Sequence, residues 1–365
     1  MLVAIEPDRA AGSSAAVVVG DVPLVHTEQV FARADATDAN AAAADVIEKV
    51  RSILATAGSE PPKVVRWHFY VSDDAAVSAI SKQLATLYAS DYAPAVTFVT
   101  GKLAEPHSLI GADCVAVGEP AGSAVARQTQ AATLPPTNKL YVSGDARPGE
   151  LKAATLGTLE GLENTLKFAG LDWSHVVQLK TFLQPIDAVA EVRQVFRKFF
   201  GQRPIPVTTF VEWKSTSVPI EIELVAAATP TASTATVEFL TPTGMTGSPV
   251  FSRAARVQSP RTIYTSGIYG SDGAETATRV REVLIRLGEL AKAVDSDLKH
   301  LVKATYYCSS NDSSTLLNKI RPDFYDPQRP PAASKAIVAG VGRPGHDLTL
   351  DMILVPTARA SSELR

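Results

Sequence analysis

The chain has 365 residues, 45% of them apolar, and sets 35 Lys and Arg against 38 Asp and Glu for a net charge of −3. That composition is globular rather than disordered, and it lacks the basic excess that nucleic acid or an anionic membrane would select. Two cysteines, Cys114 and Cys308, are too few for a disulfide framework or a thiolate zinc site, which fits a reducing cytoplasm.

Residues 1–10 carry Glu6, Asp8 and Arg9 and lack the apolar stretch of a signal peptide. No later stretch approaches the ~18–20 apolar residues of a membrane span. Helical periodicity runs through 41–54, and Gly58 follows where a left-handed cap is expected. The run Val64-Val65-Arg66-Trp67-His68-Phe69-Tyr70-Val71 then predicts a strand. A second helix closes at Leu87-Tyr88, and Tyr92-Ala93-Pro94 makes a turn. Two strands end the segment, the last from Leu109 to Val117.

The series repeats. A helix through Leu159, Leu162, Leu166 and Ala169 ends at Gly170, and Val176 to Leu183 is the next strand. The second helix closes at Phe199-Phe200, the turn is Arg203-Pro204-Ile205-Pro206, and the last strand starts Ile220-Glu221-Ile222-Glu223. In the third pass the helix covers 280–290, with Val294-Asp295 as a weaker cap. Leu301 to Cys308 follows as a strand, then a helix closing at Phe324-Tyr325, the turn Arg329-Pro330-Pro331 and a last strand from Leu348 to Val355. Ala-, Pro-, Thr- and Ser-rich linkers fill 118–136 and 229–236. The period is too long for a solenoid and suits three domain-sized copies, at 1–121, 122–230 and 231–365. Each copy reads as β-β, helix, β, helix, β-β, an α+β layer with helices on one face. The bare sheet face must be buried, and the sister copies are expected to bury it.

The residues that carry a resemblance are Lys139-Leu140-Tyr141-Val142-Ser143-Gly144-Asp145, Leu162-Glu163-Asn164-Thr165-Leu166, Val192 to Phe200 and Ile220 to Ala226. In the third copy they are Pro249-Val250-Phe251-Ser252-Arg253, Ile263-Tyr264-Thr265-Ser266-Gly267, Asn318 and Phe324-Tyr325. This ordered series resembles the Rid (YjgF/RidA) family. The first copy is the most diverged. The resemblance implies three chorismate-mutase-like modules in an intramolecular pseudo-trimer, sheets inward forming a central barrel and helices outside. It also implies ligand clefts between modules and a monomer with internal pseudo-three-fold symmetry. The implied activity is that of an enamine/imine deaminase, a cofactor-free, metal-free hydrolysis of a small imine. Water adds to an already electrophilic C=N, so positioning and proton shuttling suffice. The alternative is a non-catalytic small-molecule-binding or scaffold protein of the same fold. An older ribonuclease label of the family finds no support in this acidic balance.

The resemblance also locates site positions. The family's carboxylate-binding arginine falls at Val96, Thr208 and Ala333, so it is absent from all three copies. The catalytic-glutamate position holds Gly111, Glu221 and Thr349. The Ser-Gly position holds Thr27-Glu28, Ser143-Gly144 and Ser266-Gly267, and the Asn position holds Ser81, Arg193 and Asn318. Glu221 is thus the candidate catalytic residue. Ser143, Gly144, Arg193, Ser266, Gly267, Asn318 and Phe251 are the candidate substrate-binding residues. A cleft of Glu221 with Ser266, Gly267 and Asn318 would hold the fullest set, with the sense of pairing between copies left open. Arg193 or Lys335 is available to replace the missing cation. Asp113, Glu223 and Asp351 share one register position and point to a shared structural contact. Gly340-Val341-Gly342-Arg343-Pro344-Gly345 matches a dinucleotide fingerprint, but a strand pattern follows where a helix is required. No histidine spacing suits a metal, and His107 and His346 read as loop residues.

Overall fold

A computed structural model describes residues 1–89, 92–215, 217–245 and 247–357. In chain order it begins with β1 (Leu2–Asp8), β2 (Ser13–Val19), β3 (Leu24–Thr27), β4 (Val30–Phe31), α1 (Ala39–Thr56), β5 (Val64–Val71), α2 (Ala75–Leu87), β6 (Ala95–Thr100) and β7 (Ile110–Val117). Next come β8 (Ala126–Gln128), β9 (Ala131–Leu134), β10 (Asn138–Asp145), α3 (Leu151–Phe168), β11 (Val176–Leu183), α4 (Val189–Phe200), β12 (Val207–Glu212) and β13 (Ile220–Ala228). The rest is β14 (Val237–Leu240), β15 (Ala254–Val257), β16 (Thr262–Thr265), α5 (Thr276–Ala293), β17 (Leu301–Cys308), α6 (Asn311–Ile320), β18 (Ala332–Ile337) and β19 (Leu348–Leu354).

Local chemistry fixes the helix ends. Asp38 caps α1 by accepting from the Asn40 and Ala41 amides. Gly58 and Gly170 take left-handed conformations after α1 and α3, with φ of 72° and 73°. After α5 the same bend is made by Asp295 at φ 55°, a conformation that Asp tolerates better than most side chains. Helices α2, α4 and α6 cross over between the parallel pairs β5–β6, β11–β12 and β17–β18.

Among the described residues the strands form three sheets. The first runs β6-β5-β7-β3-β9-β8, with β4 on β7; the second β12-β11-β13-β10-β15-β14; the third β18-β17-β19-β16-β2-β1. The hairpins therefore do not stay with the strand that follows them. The β1–β2 hairpin pairs with β16, β8–β9 with β3, and β14–β15 with β10. The links after β2, β9 and β15 hold Pro23, Pro135-Pro136 and Pro260. A tight two-residue hairpin turn wants Asn-Gly or Gly-Gly, and proline keeps its predecessor extended. Each chain segment accordingly runs on to a neighbouring sheet instead of folding back.

Three apolar cores lie between helices and sheets, around Trp67 and Phe69, around Leu162 and Phe196, and around Leu284 and Tyr306. A further cluster joins the inner faces of all three sheets, with Val17, Val65, Val115, Tyr141, Val177, Val257, Tyr264, Val302 and Ile353. Pleating explains the division: along β5, Trp67, Phe69 and Val71 pack under the helices, while Arg66, His68 and Tyr70 point the other way. The expected central barrel is not closed. Each sheet keeps its own edges, and the inner faces meet mainly through side chains, with a few backbone contacts such as Ser14 N to Pro94 O, Gly267 N to Val96 O and the Ser252–Ala332 bridge. The edges β6, β12 and β18 meet the next sheet too briefly to make a ladder. Among the described residues no helix is long and apolar enough to cross a membrane.

Candidate functional site

The inner faces carry a buried polar layer. Asp113, Glu223 and Asp351 occupy matching places on β7, β13 and β19, and each bonds a side chain from another sheet. Arg66 and His68 of the first sheet and Lys180 of the second reach Asp351 of the third. Lys303 of the third sheet bonds Glu223 of the second. Asp113 accepts from Tyr70 Oη at 2.9 Å and from Thr209 Oγ1 at 2.8 Å, and His68 Nδ1 lies 2.8 Å away. Burial pushes Asp113 up, but His68, Lys180 and Thr209 outweigh it and bring its carboxyl down to about 2. Asp351 is held well below the usual carboxylate range by Arg66, His68 and Lys180 against the cost of burial. The recurring acids thus have the shared structural contact that their register suggested. They tie one sheet to the next.

At the seam between the second and third sheets, β18 lies beside β10. Ser143 Oγ donates to Ser252 O and accepts from Ala333 N at 2.7 Å, while Gly144 N donates to Ser334 Oγ at 3.0 Å. Glu221 on β13 is half-buried above Gly144, so close that a Cβ there would come 2.0 Å from Glu221 Oε1. Only glycine leaves room for that carboxyl. Burial, then the charge of Glu223, pushes Glu221 up to about 8, against Lys303 and a hydrogen bond with Ser334. Lys335 Nζ donates to Asn318 Oδ1 at 3.0 Å and sits within the electrostatic reach of Glu221. Burial, and after it the charge of Arg321, holds Lys335 below the usual lysine range, against Cys308 and Glu221. Phe251, with the Arg253 guanidinium 5.4 Å over its ring, precedes the Ser252 that bridges Ala332 at this seam.

The seam between the third and first sheets repeats the staple with different chemistry. Ser266 Oγ accepts from Val96 N at 2.7 Å, and Gly267 N donates to Val96 O at 2.9 Å. Thr349 replaces the carboxylate, its Oγ1 2.9 Å from where a Gly267 Cβ would stand. At the seam between the first and second sheets, the Gln29 amide holds both backbone groups of Phe210. Arg193 stacks 5.5 Å over the Phe210 ring, and Glu28 faces Arg193 across a pocket of about 340 Å³. Among the described residues no grouping of His, Cys, Asp and Glu could hold a metal ion.

The sequence profile described as Endoribonuclease L-PSP matches this chain twice, over residues 10–118 and 122–228. The chain belongs to the Rid family. A RutC family protein of Pyrococcus horikoshii is 28% identical over 85 residues, which span 23% of this Rid chain and 68% of the relative. A solved YjgF-family protein from Neisseria meningitidis matches at 20% identity and TM-score 0.26, covering 33% of this chain and 96% of its own. A Mycobacterium tuberculosis member of the same family matches at 21% identity and TM-score 0.24, covering 29% and 86%.

The Rid site positions separate as follows. Glu221, Ser143, Gly144 and Asn318 share one seam. Ser266 and Gly267 do not join Glu221, because β16 packs against β6 of the first sheet while β18 packs against β10. Arg193 lies at the third seam. Lys335, two residues beyond Ala333, points to Asn318 on the Glu221 side, as the pleat dictates. Sequence reasoning did not single out Glu28 and Arg197 as site residues. The one-turn spacing of Arg193 and Arg197 was the available signal.

Proposed function

We propose that the three Rid modules pack as an intramolecular pseudo-trimer and that the Glu221 seam is a cofactor-free site for hydrolysis of a small imine or enamine. The observation that carries this reading is a carboxyl raised to about 8 at a glycine-cleared seam, facing a half-buried lysine of β18 that is held by an asparagine of α6. A group that titrates near neutrality can give a proton and take it back within one turnover. Protonated Glu221 donates to the imine nitrogen and makes its carbon electrophilic. The resulting carboxylate takes a proton from the water that attacks that carbon. The carbinolamine then collapses: the C–N bond breaks, nitrogen leaves as ammonia with the returned proton, and a carbonyl compound remains. Lys335 supplies the positive charge that Ala333 no longer provides. It is a point charge rather than a bidentate fork, so its grip on a carboxylate is weaker and less directional.

The test is a coupled assay in which an amino-acid oxidase generates 2-iminopropanoate in place, alongside imines without a carboxylate. The chain should speed imine loss, and Glu221→Gln should lower that rate by about 10²–10⁴. Equal rates for wild type and Glu221→Gln on every imine would remove the reading. The loss of arginine at Val96, Thr208 and Ala333 supports a second reading, a binding or scaffold protein that kept the fold. Ligand-dependent melting shifts without turnover would favour it.

A further inference from the structure

We propose that the polar layer joining the three sheets holds one small inorganic anion, of chloride size, in a buried cavity lined by Arg66 and Gln178. The layer is built on matched strand positions. His68, Lys180 and Thr305 stand opposite Asp113, Glu223 and Asp351 in their ladders. Arg66, Gln178 and Lys303 precede them by two residues and so share their faces. Each sheet thus brings one acid. The second and third sheets bring one cation each, Lys180 and Lys303, while the first brings both Arg66 and His68. The two ring nitrogens of His68 both face carboxylates, Nδ1 at 2.8 Å from Asp113 and Nε2 at 2.7 Å from Asp351. Both must donate, so the ring is an imidazolium. Four cations therefore meet three acids, and one positive charge is left over. Glu221, the next acid within reach of Lys303, does not cancel it below about pH 8, because its carboxyl keeps its proton there. A buried charge without a counterion is costly.

The cavity between the sheets suits that counterion in size and in chemistry. Its volume is about 30 Å³, room for one or two water-sized occupants and far too little for an organic ligand. Among the described residues, two side-chain atoms of its lining residues are buried without a hydrogen-bond partner, Arg66 Nε and Gln178 Nε2. Both residues are more than nine-tenths buried, at 6% and 8% exposure, and both atoms are donors. Arg66 is held in place by its Nη1 contact with Asp351 and by the Tyr264 ring, 4.9 Å from the guanidinium carbon. Gln178 is oriented from the other side. Burial brings His26 down to about 4, so its imidazole is neutral and donates its single N–H from Nδ1 to Gln178 Oε1 at 3.0 Å. The amide N–H groups of Gln178 are left for the cavity. Lys180 and Lys303 line it as well. Lys303 engages Glu223 at 2.5 Å and Thr305 at 3.4 Å, and Lys180 reaches Tyr307 Oη at 3.3 Å, which leaves each ammonium a further N–H. A water molecule would accept from some of these donors and leave the charge standing. A halide accepts from them and cancels it.

The site stands apart from the proposed chemistry at Glu221, and the experiment separates the two. Thermal scans of the full chain at neutral pH exchange sodium gluconate, whose anion is too large for the cavity, for sodium chloride at a constant ionic strength of about 0.15 M. The melting temperature should rise by about 2–4 °C as chloride replaces gluconate, and the rise should saturate. Gln178→Glu keeps the acceptor for His26 and tethers a negative charge in the cavity, so it should not respond to chloride. Lys180→Met removes the surplus charge and should lose the response too. Glu221→Gln should respond as wild type does. Crystals of the unaltered chain soaked in bromide should show an anomalous peak between Arg66 and Gln178, a measurement that needs no variant to fold. Equal melting temperatures in chloride and gluconate, a chloride response kept in Gln178→Glu, or a cavity without bromide would each overturn the inference.

Discussion

Replacing Glu221 by glutamine should make the protein more stable in alkaline solution and leave it unchanged in acid. In the folded chain this carboxyl titrates at about 8, and unfolding returns it to its ordinary 4.5. Between those values the unfolded chain has released a proton that the folded chain keeps, so wild-type stability falls as pH rises through this window. Below about pH 4.5 both states hold the proton and nothing is lost. At 1.36 kcal/mol per pH unit the full separation is worth about 5 kcal/mol, and partial exposure of the side chain brings this to about 1–3 kcal/mol. Glutamine does not titrate and keeps the shape. The melting temperature of Glu221→Gln should therefore match wild type at pH 4, pull ahead as pH rises, and level off above pH 8. The lead there should be about 2–6 °C. Paired thermal scans from pH 4 to 9 measure it without any substrate. A difference that stays flat across that range, or a wild type that is the more stable protein at pH 9, would refute the burial argument.

Gly144→Ala should abolish the same pH dependence in wild-type background, since a Cβ placed 2.0 Å from Glu221 Oε1 must expel the carboxyl into water; the same paired scans read it. Asp351→Asn should cost about 3–5 kcal/mol in urea unfolding, because it strips the charge partner from buried Arg66, His68 and Lys180 together. Gly12→Ala should destabilise the fold measurably in the same assay. Gly12 has φ 62°, and an added Cβ would lie 2.2 Å from the Leu84 backbone, so the β1–β2 turn would be lifted off α2. Removal of residues 1–20 should expose the β16 edge and give a chain that self-associates on size-exclusion chromatography.

The helix–strand–helix series was legible because helical periodicity, a helix breaker and an alternating strand recur in fixed order. Even the weak third cap was visible, and Asp295 took the bend that Gly58 and Gly170 make elsewhere. The shared position of Asp113, Glu223 and Asp351 was legible for the same reason. The exchange of hairpins was not. A short strand such as Ala131–Leu134 offers the same alternation to either neighbour, and the choice is made by the proline link after it. Nor was the sense of the seams, which decides that Glu221 meets Asn318 with Ser143-Gly144 rather than with Ser266-Gly267. The burial of Arg66, His68, Lys180 and Lys303 was not legible either, because polarity alone assigns such residues to the wet side of a strand. They are buried because three such faces are turned toward one another.

The displaced hairpins separate the unit that is inherited from the unit that is folded. The stretch 118–136, expected as a linker, in fact holds β8 and β9, so a gene fragment cut at the copy boundaries near 121 and 230 would encode two strands that complete somebody else's sheet and would lack the two that complete its own. Swapping one copy for a homologue would thus change two sheets at once, and any chimaera must be spliced between a hairpin and the strand it precedes if each sheet is to keep a single parent.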